Sequence, residues 1–144
     1  MTVNVDTQSL IASIRDVVGQ AYLLTDQAKK QPYTKGFRFG AGEALAVVRP
    51  GTLVEIWRVL KLCVEADVAV IMQAANTGLT GGSTPDGKDY DRPLVIISTM
   101  RIDDIQLVDS GKQIVGLAGS TLFGLEETHQ VHNKLICLKV NFNL

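Results

Sequence analysis

Cysteine is scarce in this chain: Cys63 and Cys137 are the two in 144 residues, so a disulfide-stapled secreted scaffold is excluded and reduced thiols are expected. A dominant charge is lacking too. Fourteen Lys and Arg against fifteen Asp and Glu give a formal net charge of -1, which removes the electrostatic basis for binding nucleic acid or an anionic membrane surface. No apolar run approaches the roughly 20 residues of a membrane span. Met1 to Leu10 has no charged start leading into an apolar stretch, so no secretory signal is read there and a cytoplasmic location is expected. Repeats, low-complexity tracts and linker-like shifts in composition are missing. One domain remains, long enough to bury roughly 70% of its unfolded surface if it closes a core. Common chemical fingerprints are absent as well. No Gly-Lys-Ser/Thr ending marks a P-loop, no Gly-x-Gly-x-x-Gly joins a strand to a helix, and no Ser-His-Asp order with a nucleophile elbow occurs.

What is present is a run of small residues, Gln73-Ala74-Ala75-Asn76-Thr77-Gly78-Leu79-Thr80-Gly81-Gly82-Ser83, directly behind the apolar segment Val68-Ala69-Val70-Ile71-Met72. Residues with little side chain let backbone N–H groups converge on one point, where an anion can replace water as their partner. The same composition also suits a long connection built from turns. Context separates the two. Upstream, Ala44 to Val48 reads as a buried strand stopped by Arg49-Pro50-Gly51-Thr52. Thr52 stands at an N-cap position, Glu55 lies in the first turn, and Leu53, Ile56, Trp57, Leu60, Cys63 and Val64 recur at three- and four-residue spacing. An amphipathic helix from Thr52 to about Ala66 follows, with those six residues as its apolar face. Strand, helix and strand form a βαβ unit with parallel strands. Ligands in open α/β sheets sit beyond the carboxyl ends of strands, where Ala74 to Ser83 falls.

These residues resemble a known family. The order Val47-Val48-Arg49-Pro50-Gly51-Thr52, helix, Gln73 to Ser83 is similar to the start of the FAD-binding domain of the p-cresol methylhydroxylase and vanillyl-alcohol oxidase type. Within that type, Lys35-Gly36-Phe37-Arg38, Gln73 to Thr80, Asp89-Tyr90-Asp91-Arg92 and Val95-Ile96-Ile97-Ser98-Thr99 resemble the bacterial quinone-dependent D-lactate dehydrogenases, over about Leu23 to Glu126. The resemblance implies an FAD cofactor whose pyrophosphate lies on Ala74, Ala75, Asn76, Thr77, Gly78, Gly82 and Ser83. Gly78 and Gly82 would permit close backbone approach, Asn76 and Ser83 would donate from their side chains, and Thr77 would cap the bend. The loop holds no Lys or Arg, so amide dipoles would carry most of the charge compensation.

The resemblance implies that the whole enzyme oxidises D-lactate or a similar 2-hydroxyacid and passes electrons to a quinone, as a peripheral enzyme at the cytoplasmic face of the inner membrane. Family members are several times longer, so these residues are expected to form an incomplete FAD-binding type domain over 1–127. No catalytic residue is assigned, and FAD binding by this stretch alone is expected to be weak or absent. Residues 128–144 read as a divergent tail, such as a frameshifted or prematurely ended reading frame gives. Two other functions stay open: a non-catalytic remnant or oligomerising module that keeps the fold, and a generic nucleotide or anion binder. Exposed apolar surface on an unfinished domain makes a homo-oligomer a natural expectation.

The remaining elements complete an α/β (α+β) class: a small parallel βαβ sheet with flanking helices, then a hairpin and a short helix. Thr7 or Ser9 starts a helix with Leu10, Ile11, Ile14 and Val17/Val18 on one face, ended by Gly19. Leu23 to Gly42 reads as a long connection. Leu94 to Ser98 is a third strand. Ile105–Val108 and Gln113–Leu117 flank a turn and read as a hairpin, and Ser120 or Thr121 caps a short helix to about Glu127. His129, His132 and Cys137 fall short of the four well-spaced donors of structural zinc. Asp86, Asp89 and Asp91 lack EF-hand spacing and read as a solvated loop, so no metal site is expected. Cys63, on the helix's apolar face, reads as a buried free thiol. Arg101-Ile102-Asp103-Asp104 reads as salt-bridging surface or a strand lead-in.

Overall fold

A computed structural model of the chain describes residues 6–87 and 90–131. Helix α1 spans Thr7–Val18, opened by Asp6, whose side chain accepts from Ser9 N, and ended at Gly19, whose φ of 84° favours glycine. Leu10, Ile14 and Val18 recur at helical spacing and are its buried stripe.

Leu23 to Gly42 is structured where the sequence suggested a connection. A short strand β1, Leu23–Leu24, precedes helix α2, Gln27–Thr34. Pro32 and the polar run Gln27 to Gln31 conceal this helix from periodicity, but Asp26 caps it by accepting from Lys29 N at 3.1 Å. Lys30 is buried and holds the helix to the sheet by donating from Nζ to Ala44 O at 2.6 Å.

Strand β2, Ala46–Val48, leads into helix α3, Leu53–Glu65. Thr52 Oγ1 accepts from Glu55 N at 3.1 Å, and Glu55 Oε2 accepts from Gly51 N at 2.7 Å, so two N–H groups at this helix start are satisfied locally. The core-facing side of α3 differs from the expected face. Val59 and Cys63 are buried and Ile56 is packed against the core, whereas Leu53, Trp57, Leu60 and Val64 are exposed. Two apolar stripes run along this helix, and the sequence reading merged them.

Strands β3, Ala69–Gln73, and β4, Leu94–Ser98, complete the sheet. Its order is β1-β2-β4-β3, with β4 parallel to both β2 and β3 and β1 antiparallel to β2. The two strands of the βαβ unit are therefore parallel, as expected, but not neighbours: β4 inserts between them. All five residues of β4 are buried, which explains an unbroken apolar run where a half-exposed strand would alternate. Ala46, Val48, Val95 and Ile97 face α1 and α3, while Val47, Leu94 and Ile96 face the side where Tyr33 of α2 packs. The alternation follows from the two-residue period of strands.

Beyond the sheet, β5 (Ile105–Val108) and β6 (Gln113–Gly116) form the expected hairpin through a 3-10 turn. Helix α4, Leu122–Val131, runs past the predicted stop at Glu127, and Thr121 Oγ1 accepts from Gly124 N at 3.2 Å. Arg101 takes part in no ion pair among the described residues. Its guanidinium stacks 3.3 Å from the Tyr22 ring centroid and donates to Arg49 O at 2.7 Å. Of the tail expected over 128–144, residues from 132 onward, with His132 and Cys137, lie outside the described residues, as does the His129 side chain.

Candidate functional site

Because β2, β3 and β4 run parallel, Val48, Gln73 and Ser98 bring their carboxyl ends to one edge of the sheet. The small-residue run leaves β3 at that edge, as the strand-to-loop order requires. Its first tie is Gln73, almost fully buried, whose Nε2 donates to Tyr33 O at 2.9 Å and to Ser83 O at 2.7 Å. One amide therefore fixes both ends of the loop and joins it to α2.

A second tie runs through Asn76. This residue adopts φ 55°, a left-handed conformation that Asn tolerates. Its Nδ2 donates to Lys35 O at 3.0 Å, and its Oδ1 accepts from Ser83 Oγ at 3.0 Å. Asn76 and Ser83 were expected to donate to a bound pyrophosphate. In the structure both side chains hydrogen-bond within the protein and set the loop's shape. No hydrogen bond from the Thr77 side chain is found among the described residues.

The loop also interlocks with the segment from Lys35 to Ala41, which turns back on itself through Gly36 N donating to Gly40 O at 2.8 Å and the Lys35–Ala41 bridge. Thr84 is buried between the two. A Cβ on Gly40 would lie 2.2 Å from Thr84 Oγ1, and one on Gly81 would lie 3.2 Å from Phe39 O. Gly40 and Gly81 also hold φ of 86° and 76°, so these glycines are required by the protein's own packing and backbone. Gly78 and Gly82 differ. A Cβ there would meet nothing closer than 4.0 Å and 3.9 Å respectively, so the absence of a side chain leaves open approach to the backbone.

What that approach reaches is a row of donors. Among the described residues, no backbone N–H from Ala74 to Ser83 donates to a protein acceptor; the first to do so is Thr84 N, to Gly81 O at 3.2 Å. Ala74, Ala75, Thr77, Gly78 and Gly82 are exposed, with Asn76 and Ser83 half-buried. The seven residues singled out in the sequence thus share one loop, five at its surface and two inside it. No titratable side chain occurs between Gln73 and Thr84. The structural roles of Gln73, Thr84, Gly36 and Gly40 are not displayed by any motif in the sequence, although two glycines bracketing Phe37-Arg38-Phe39 are the signature of a tight turn.

Shifted acidities occur away from this edge. Arg92 donates from Nε and Nη2 to Asp91, each at 2.9 Å, and holds that carboxyl below its ordinary range. Burial pushes the Cys63 thiol up to about 11. Neither group belongs to the loop.

The sequence profile of the FAD binding domain matches residues 44–141. Among curated proteins, the chain is 60% identical over 119 residues to the quinone-dependent D-lactate dehydrogenase of Haemophilus influenzae, covering 83% of this chain and 21% of that protein. It is 54% identical over 122 residues to the Escherichia coli enzyme of the same name, covering 85% of this chain and 21% of the relative. The chain thus spans about a fifth of the length of these relatives. Among solved structures, p-cresol methylhydroxylase with substrate bound superimposes with a TM-score of 0.70 at 19% identity, over 88% of this chain and 25% of that one. At that identity the likeness concerns the fold. Among the described residues, no helix is long and apolar enough to cross a membrane.

Proposed function

We propose, for a chain that belongs to the FAD-binding domain family, that the loop Ala74 to Ser83 holds the pyrophosphate of FAD on its backbone amides. The observation that carries this reading is the unpartnered row of N–H groups at the carboxyl ends of parallel strands. Exposed N–H groups without a protein acceptor are free to exchange water for a ligand, and successive amides in a glycine-rich turn suit an anion. Gly78 and Gly82 leave the approach open. Asn76 and Ser83 act through the loop's shape, and Ala74, Ala75, Thr77, Gly78 and Gly82 line its surface.

Bound FAD supplies the redox chemistry, while the protein contributes binding and orientation. The relatives' names support a role in a D-lactate or similar 2-hydroxyacid dehydrogenase that delivers electrons to a quinone. Within this chain we assign cofactor binding and no catalytic residue. Ligand sites bury most of the ligand surface, roughly 70–90%, and one loop covers only the phosphates, so affinity for FAD is expected to be low. A titration with FAD beside a loop variant tests the reading.

A second reading, an oligomerising module, draws on a different observation. Leu53, Trp57, Leu60 and Val64 expose a continuous apolar stripe on α3, and monomeric proteins rarely leave such stripes uncovered. We propose that two copies of the chain meet along this stripe.

A further inference from the structure

We infer that the turn from Lys35 to Ala41 is the second wall of the same site, and that Arg38 supplies the cation that the glycine loop lacks. This inference rests on the FAD reading of the loop and extends it to residues to which neither the sequence reading nor the likeness to known proteins gave a role.

The geometry begins with the backbone. The turn is fastened to the loop by Asn76 Nδ2 donating to Lys35 O at 3.0 Å. It is fastened again by Thr84, whose side chain lies against both Gly36 and Gly40. Phe39 O stands where only a glycine at position 81 leaves room. These contacts tie the turn to the loop and set the Phe39 carbonyl against Gly81.

That tip carries Phe37, Arg38 and Phe39, all exposed, with Phe37 79% and Phe39 57% accessible. Two exposed phenylalanines at one turn are costly in water by the area rule for apolar surface, and Leu79 on the loop is exposed as well. Arg38 lies over the Phe39 ring at 5.3 Å and has no ion-pair partner among the described residues. An unpaired guanidinium over an aromatic ring, on a turn that is fastened to a loop of free N–H donors and exposes apolar surface, has the chemistry of a site for an anion attached to flat rings. A pyrophosphate that joins two groups carrying flat rings meets all three. The guanidinium fork suits phosphate oxygens better than an ammonium does, because it offers paired planar donors.

The test is FAD fluorescence anisotropy at rising concentrations of the full chain, at low and at high salt, for the parent, Arg38→Gln, Arg38→Lys and Gly78→Asp. Riboflavin, which carries no phosphate, is the reference ligand. The inference predicts that Arg38→Gln weakens FAD binding roughly tenfold, the usual scale for one charge-assisted contact to phosphate. It also predicts that this variant flattens the salt dependence, that Arg38→Lys retains part of the affinity, and that riboflavin is bound alike by parent and variant. Equal FAD binding and salt dependence in parent and Arg38→Gln, with binding lost in Gly78→Asp, would overturn the inference and leave the loop reading standing. No FAD binding by the parent would overturn both. An unchanged thermal unfolding midpoint for Arg38→Gln shows that a loss of binding is not a loss of fold.

Discussion

Gln73 Nε2 donates to Ser83 O across 2.7 Å, so the last residue of a strand is bonded to the last residue of the loop that the strand feeds. The same nitrogen donates to Tyr33 O at 2.9 Å. Replacing it with Leu leaves two carbonyls without their donor, and each such group costs about 1–3 kcal/mol. Gln73→Leu is expected to lower unfolding free energy by about 2 kcal/mol or more in urea titration. A loss under about 0.5 kcal/mol, the scale of ordinary surface changes, would show that the tie is dispensable.

The glycines divide by what surrounds them. Gly40→Ala places a Cβ 2.2 Å from Thr84 Oγ1 at φ 86°, and the thermal midpoint of this variant should fall. Gly82→Ala meets only Thr80 Oγ1 at 3.9 Å. That variant should melt as the parent does and lose affinity for FAD. Comparable melting of the two variants would contradict the assignment of one glycine to packing and the other to ligand approach.

Cys63 connects the core to pH. Burial raises its thiol from 9.0 to about 11, so the folded chain keeps a proton that the unfolded chain releases earlier. The associated stability is complete below about pH 9 and is lost as pH rises toward about 11. Because Cys63→Ala lacks this titration, the stability difference between parent and variant should narrow across that window in denaturant melts. A constant difference would mean that the thiol titrates alike in both states.

Along α3, Trp57 and Val64 are 61% and 70% exposed. Changing both to Gln removes apolar surface without touching Val59 or Cys63, so stability should move by less than about 1 kcal/mol. Sedimentation is expected to show less self-association than in the parent. Equal association would mean that copies meet elsewhere or not at all.

The legible parts of the fold were those with a local signal. Thr52 is a cap whatever the tertiary structure, and Leu94 to Ser98 is apolar at every position before the final Ser. The order of the sheet was not legible, because periodicity places residues on faces and does not rank strands. Helix α2 was hidden by Pro32 and its lysines, one of which, Lys30, is buried through a hydrogen bond that no pattern displays. On α3 the apolar residues outnumber one face, and three- and four-residue spacing does not separate Ile56 and Cys63 from Leu53, Trp57, Leu60 and Val64. The loop itself was visible as a run of small residues. Its partners were not, since Lys35 and Asn76 are separated by 41 positions and only the folded backbone brings them together.

The central claim is that the amides of Ala74 to Ser83 receive a pyrophosphate, and a thermal-shift titration of the chain with FAD beside Gly78→Asp tests it most directly. A Cβ at Gly78 meets only Ser83 Oγ at 4.0 Å, so the variant should fold, while its carboxylate repels an anion at the loop. The account predicts that FAD raises the midpoint of the parent and leaves that of Gly78→Asp unchanged. A parent indifferent to FAD, or a variant stabilised as strongly as the parent, would contradict it.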